Sequence, residues 1–192
     1  SIEMIVPIYN RPEIKNASGP YSNKMGKVDL VDLMVGCEGI FGVITSATFN
    51  LKEMPDEFLN LFFTLPSESD AVRFHKYISH HFGGDLSQIT ALEYFGYNCQ
   101  TYMNYRETLF NSSSEVGIYL QIPLYNKTVE DVAEDWLNLL IKSDCNILED
   151  GVLLLNSPQN WKTFFEARHS IPVNALEKTR LSDTWSILTD TI

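Results

Sequence analysis

The sequence predicts an α+β fold: an antiparallel sheet with helices packed on one of its faces. Three observations predict it. Apolar runs of strand length alternate with stripes of helical spacing over most of the chain. Three of those stripes open on a helix-start signal, at Ser67, Thr128 and Ser157-Pro158. The connections between strand-like and helical runs are mostly short, as expected when the elements pack around one core.

In chain order, Ile2-Glu3-Met4-Ile5-Val6 reads as a strand. Residues 10–27 hold Asn, Pro, Ser, Gly and Lys and read as a long loop. Val28 to Val35 is apolar with Asp29 and Asp32 at helical spacing and predicts a short helix. Gly42 to Leu51 alternates as a strand, with Val43, Thr45, Ala47 and Phe49 on one side. A second strand follows at Phe58–Leu65.

Ser67 with Asp70 three residues on resembles a capping box, and Ala71, Phe74, Ile78 and Phe82 form the stripe behind it. Gly83-Gly84 stops that helix. Thr128 with Asp131 repeats the signal, ahead of Val129, Val132, Trp136 and Leu140. Ser157-Pro158 places a cap and then proline in the first helical turn, with Trp161, Phe164 and Phe165 as the apolar face. Ile89–Phe95, Val116–Ile122 and Val152–Leu155 read as the intervening strands.

Charge divides the chain. Its 192 residues carry 14 Lys and Arg against 25 Asp and Glu, a net charge of −11. Residues 1–54 carry 5 basic and 6 acidic side chains and half of the ten glycines; residues 55–192 carry 9 basic and 19 acidic. Pro55-Asp56 interrupts two strand-like runs, so the boundary is placed between 54 and 55. So negative a chain disfavours nonspecific nucleic-acid binding and docking on anionic lipid. No apolar run approaches the ~18 residues of a membrane span, and the first residues lack the basic and apolar regions of a signal peptide. Cys37, Cys99 and Cys145 are widely spaced and odd in number, which fits buried thiols in a reducing, cytoplasmic setting.

The most informative string is Val35-Gly36-Cys37-Glu38-Gly39-Ile40-Phe41-Gly42-Val43-Ile44-Thr45. Glycines recur every third residue, at 36, 39 and 42, where the backbone is free to adopt positive φ or to let a ligand approach. On spacing alone the string is equally a tight turn entering a strand. The dinucleotide fingerprint G-x-G-x-x-G and the P-loop are both absent.

The whole string resembles the "G-S-E-G-x-L-G-I-I-T" segment of flavoproteins of the vanillyl-alcohol-oxidase, or PCMH, type. The branch it resembles carries an FAD-linked oxidase C-terminal domain and includes D-lactate dehydrogenases and the glycolate oxidase catalytic subunit. Lys15-Asn16-Ala17-Ser18-Gly19 is similar to that branch's "K-N-x-A-G-Y" run, and Asp29 to Gly36 to its "D-L-x-x-L-F-V-G". Cys37 and Phe41 stand where the branch has Ser and Leu. Phe164-Phe165-Glu166-Ala167-Arg168 resembles its "L-W-x-x-R" helix, and Leu188 to Ile192 the start of its "D-V-A-V-P" run. Pro172 stands where some relatives have Thr.

The resemblance implies that residues 1–54 end a PCMH-type FAD-binding domain and that 55–192 form a ferredoxin-like cap on the substrate side. It implies FAD as cofactor, with Glu38, Gly39, Ile40, Phe41, Gly42, Val43 and Ile44 against it, and Arg168 at the substrate. The implied reaction is oxidation of a 2-hydroxy acid such as D-lactate or glycolate, with a quinone, a cytochrome or another carrier taking the electrons. The implied setting is the cytoplasm, with peripheral attachment to a membrane through another subunit as a variant. The branch's P-x-G-G pyrophosphate loop and its H-x-G-D-G-N-x-H run are absent. The chain is therefore expected to be a central piece of a longer flavoenzyme, inactive by itself, with the catalytic base not identified here. Two alternatives stand beside this reading: a noncatalytic ferredoxin-like ligand-binding or dimerisation module, and an FAD enzyme for an aldonolactone or alkyl-glycerone phosphate.

Arg168 has a reading of its own. It lies four residues after Phe164 and seven after Trp161, on an aromatic helix face, so its guanidinium must reach solvent or meet an anion. That anion is either a neighbouring carboxylate or a substrate carboxylate held bidentately. Glu93 sits in a strand and faces either a site or solvent. His75, His80, His81 and His169 share no ligand spacing with a third donor, so no metal is expected.

Overall fold

The structure is a computed structural model that describes residues 29–148 and 151–181. The expected strand at 2–6, the loop at 10–27, the run at 15–19 and the run at 188–192 lie outside the described residues. Two compact units divide between Lys52 and Glu53.

In the first unit, Asp29 caps a single helical turn, α1 (Leu30–Met34), by accepting from Val31 N–H at 2.8 Å. Residues 43–52 carry no strand ladder, so the strand expected over Gly42–Leu51 does not form here. Alternation predicts which faces a strand presents, but a strand exists only when a neighbour takes up its N–H and C=O groups.

The second unit runs β1 (Glu57–Leu65), α2 (Glu68–His81), β2 (Ala91–Phe95), β3 (Val116–Leu124), α3 (Val129–Ile141), β4 (Val152–Leu154) and α4 (Pro158–Leu181). Two short 3₁₀ turns, Tyr97–Tyr102 and Arg106–Thr108, lie between β2 and β3. The sheet order is β2-β3-β1-β4 with every pair antiparallel. This is an α+β fold whose βαββαβ order and four-stranded antiparallel sheet match a ferredoxin-like arrangement.

The sheet has two buried faces. Leu59, Leu61, Phe63 and Leu65 of β1 meet Ala71, Phe74 and Ile78 of α2 and Val129, Val132 and Leu140 of α3 in one core. Phe62, Tyr119 and Phe95 point the other way and meet Phe164 and Ala167 of α4. Helices on one face only is therefore corrected: α2 and α3 cover one face and α4 covers the second. The physical reason lies in β1 itself, where Phe62 follows Leu61 and precedes Phe63, so apolar side chains emerge on both sides of the pleat. Gly117, opposite Thr64, makes room on the α4 side; a Cβ there would lie 2.6 Å from Phe62 Cζ and 3.0 Å from Phe110 Cζ.

Hydrogen bonds from α4 fix its place. Ser170 Oγ accepts from Asn104 N–H at 2.8 Å, and Asn174 Nδ2 donates to Tyr102 O at 2.7 Å, tying the helix to the β2–β3 connection. Trp161 is half-buried, but Phe165 is exposed against His169 and not on the apolar face with Phe164; Ala167 takes that place. Pro172 lies inside α4 and has no N–H to donate to the carbonyl of Arg168 four residues back.

The start signals form as expected. Thr128 and Asp131 make a reciprocal capping box. Ser67 Oγ accepts from Asp70 N–H at 3.2 Å and donates to Asp70 Oδ2 at 2.6 Å, while Arg73 and Asn146 also contact the carboxylate. The Ser67 hydroxyl is the main cause that holds the Asp70 carboxyl below its ordinary value. Ser67→Ala is expected to destabilise the unit by about 1 kcal/mol at neutral pH. A carboxyl lowered in the folded state contributes stability above its unfolded value near ~3.9, and that contribution fades as pH falls through the folded value. Urea midpoints taken at falling pH should therefore show wild type and Ser67→Ala converging below about pH 4; a gap that stays constant with pH overturns the coupling.

Candidate functional site

The first candidate region is residues 36–44. After α1 the chain turns twice, with Cys37 N–H on Met34 O at 3.3 Å and Ile40 N–H on Cys37 O at 2.9 Å. Those turns need left-handed backbone: φ is +75° at Gly36, +50° at Glu38 and +83° at Gly39. Glu38 adopts a conformation uncommon for a residue with a side chain, directly before a glycine that adopts it freely. A Cβ at Gly39 would meet nothing within 4 Å, so conformation and not crowding requires glycine there. Ile40, Val43 and Leu51 are 81%, 88% and 92% exposed, a run of apolar side chains with no cover among the described residues.

The second candidate region lies on the α4 face of the sheet. Arg168 donates through Nε to Glu93 Oε2 and through Nη2 to Glu93 Oε1, both at 2.7 Å. The side chains are 40% and 33% exposed, so the pair is fixed by geometry yet reachable from solvent. Of the two anions expected for Arg168, the structure supplies the neighbouring carboxylate, and Glu93 faces that guanidinium. The bond to Glu93 is also the main cause that raises the Arg168 pKa above its ordinary value.

Beside the pair runs a polar strip that the sequence reading missed. Tyr119 is the cross-strand partner of both Glu93 and Phe62, and its Oη donates to Asn60 Oδ1 at 2.7 Å. Gln121 Nε2 donates to the same Asn60 oxygen at 3.0 Å. Asn156 closes the strip, accepting from Asn60 N–H at 2.9 Å and donating to Phe58 O at 2.6 Å. Burial first, and then the Glu93 carboxylate, push Tyr119 up to about 12, so it stays protonated at neutral pH and acts as a donor, not as a base. The available signal was a polar residue, Asn60 or Gln121, in the middle of each of two mostly apolar strands.

The opposite face is different in kind. A groove of about 510 Å³ opens between α2 and the edge strand β2, lined by Glu68, Ala71, Val72, His75, Leu92, Glu93, Tyr94 and Ile118, so that Glu93 of β2 borders both regions. Among the described residues no group of three or more His, Cys, Asp or Glu side chains is placed to hold a metal ion, and no helix is long and apolar enough to cross a membrane. Comparison of the sequence finds no matching protein-family model and no matching curated protein.

Proposed function

We propose that this chain belongs to an FAD-dependent oxidoreductase that oxidises a 2-hydroxy acid such as D-lactate or glycolate. The observation that carries the reading is the turn at Glu38-Gly39, with left-handed backbone and an open Gly39 Cβ position, inside the string that resembles the flavoprotein segment. A flavin nucleotide needs main chain it can lie against, and residues 38–44 fit that demand: the backbone is open and Ile40, Val43 and Ile44 offer uncovered apolar surface. A noncatalytic ferredoxin-like module accounts for residues 53–187 but leaves this turn without a role.

In this reading Glu38 to Ile44 hold the cofactor. When bound, FAD supplies a two-electron acceptor whose electrons pass on to a quinone, a cytochrome or another carrier. Arg168 supplies the fixed positive charge that binds and orients the carboxylate of the substrate. Tyr119 holds a proton throughout and keeps Asn60 in place through its donated bond.

Gly39→Val in the full-length flavoprotein tests the cofactor half. A β-branched residue at φ +83° strains the turn by roughly 1–2 kcal/mol or more. Flavin content, read from the visible absorbance after gel filtration, is expected to fall below that of wild type. The melting transition of the 53–187 unit should not move. Unchanged flavin stoichiometry overturns the assignment of 38–44.

A further inference from the structure

From the way Glu93 grips Arg168 we infer that Glu93 is a positioning residue, which turns the free end of the guanidinium toward the carboxylate of a small acid. The inference rests on the hydroxy-acid reading above and names the residue that makes its binding group work.

The argument is geometric. A guanidinium has five N–H donors in one plane, and a carboxylate can occupy either of two edges. Glu93 takes the side edge, with Nε and one hydrogen of Nη2 each at 2.7 Å from a different oxygen. The end edge, made by Nη1 and the second hydrogen of Nη2, meets no acceptor on a described residue. The Arg168 side chain is 40% exposed, so part of it is open to a ligand. The carboxylate of a 2-hydroxy acid fits it without displacing Glu93.

Arg168 alone would rotate about its long side chain, and holding it still costs rotamer entropy on binding. Glu93 meets that cost before the ligand arrives. It does so from a rigid place: β2 is laddered to β3, and Glu93 stands opposite buried Tyr119. α4 is held over the same face by Phe164 and Ala167. Strand and helix thus set the position of the two ends of the pair.

Glu93→Gln is the sharp variant. Its amide presents N–H where Arg168 also presents N–H, so one of the two bonds is lost and the fork turns. Glu93→Asp keeps two oxygens on a shorter arm. The test uses the full-length flavoprotein with D-lactate and glycolate under anaerobic conditions, and with oxalate as a carboxylate that is not oxidised. In Glu93→Gln the half-saturating acid concentration and the oxalate Kd are expected to rise about 10-fold or more. The limiting rate of flavin reduction should change by less than about 3-fold, flavin content should not change, and Glu93→Asp should recover part of the affinity. A lower melting temperature with unchanged oxalate Kd and half-saturation overturns the proposal and leaves the pair a fold contact. Wild-type flavin that neither acid reduces overturns the hydroxy-acid reading itself, and this inference with it.

Discussion

Phe62→Ala is expected to remove about 3–5 kcal/mol from the stability of the 53–187 unit, a large part of the ~5–15 kcal/mol that a domain has in total. Phe62 is fully buried, with Phe95, Phe110 and Phe164 around it at ring-centroid distances of 5.8, 5.5 and 5.6 Å. Two of these contacts are edge-on, the arrangement that adds to simple burial. Truncation leaves a cavity between the sheet and α4 whose rigid aromatic walls have little freedom to close it. The partner for a coupling test is Gly117, whose absent side chain makes room for the Phe62 ring. Gly117→Ala alone is expected to destabilise by about 1–3 kcal/mol, because backbone or ring must move. On the Phe62→Ala background the new methyl enters vacated space, so the double variant should be more stable than the two single losses predict. Urea denaturation of the four chains measures this; if Phe62→Ala does not fold, Phe62→Leu with and without Gly117→Ala gives the same cycle. Additive losses would mean that α4 does not press the ring against Gly117.

How much of this was legible can be read from the same residues. The starts of α2, α3 and α4 were legible because capping is local: Ser67 meets Asp70 and Thr128 meets Asp131 within one turn of chain. The five-residue helix after Asp29 was legible from its apolar run with Asp29 and Asp32 at helical spacing. The second covering face was not read, although β1 carried the signal: Leu61-Phe62-Phe63 is apolar on both sides of the pleat. The turns at 97–102 and 106–108 have no apolar period and no cap, and side chains of distant α4 hold the first of them. At the site, the aromatic spacing around Arg168 left solvent or an anion as its partner and did not name the anion. Glu93 lies 75 residues away in sequence, and only the antiparallel register of β2 on β3 brings it to the α4 face. Asn60 and Gln121 likewise become one strip only once β1 and β3 are paired.

On the function proposed above, Arg168→Lys in the full-length protein is expected to lower kcat/KM for the 2-hydroxy acid by about 10- to 150-fold, equivalent to losing a charge-assisted hydrogen bond of roughly 1.5–3 kcal/mol. Lysine keeps the charge but has neither planar edge: it cannot hold Glu93 with two nitrogens and present two more to a ligand. The effect on stability is expected to be much smaller. At 40% and 33% exposure the pair is largely solvent-screened, and exposed ion pairs contribute about 0–1 kcal/mol. The helix itself gives little reason for a larger loss, since Lys and Arg have nearly equal helix propensity. Pro172 leaves the Arg168 carbonyl without its usual helical donor whichever residue stands there. Affinity and stability should therefore part company: KM rises, flavin content holds, and the melting temperature drops by only a few degrees. Because Arg168 and Glu93 act as one unit, Arg168→Lys combined with Glu93→Gln should be little worse than Arg168→Lys alone. Two separate and multiplying losses in kcat/KM would show that Glu93 meets the substrate by itself. Wild-type kcat/KM in Arg168→Lys, paired with lost stability, would assign Arg168 to the fold, since only its contact with Glu93 would then matter.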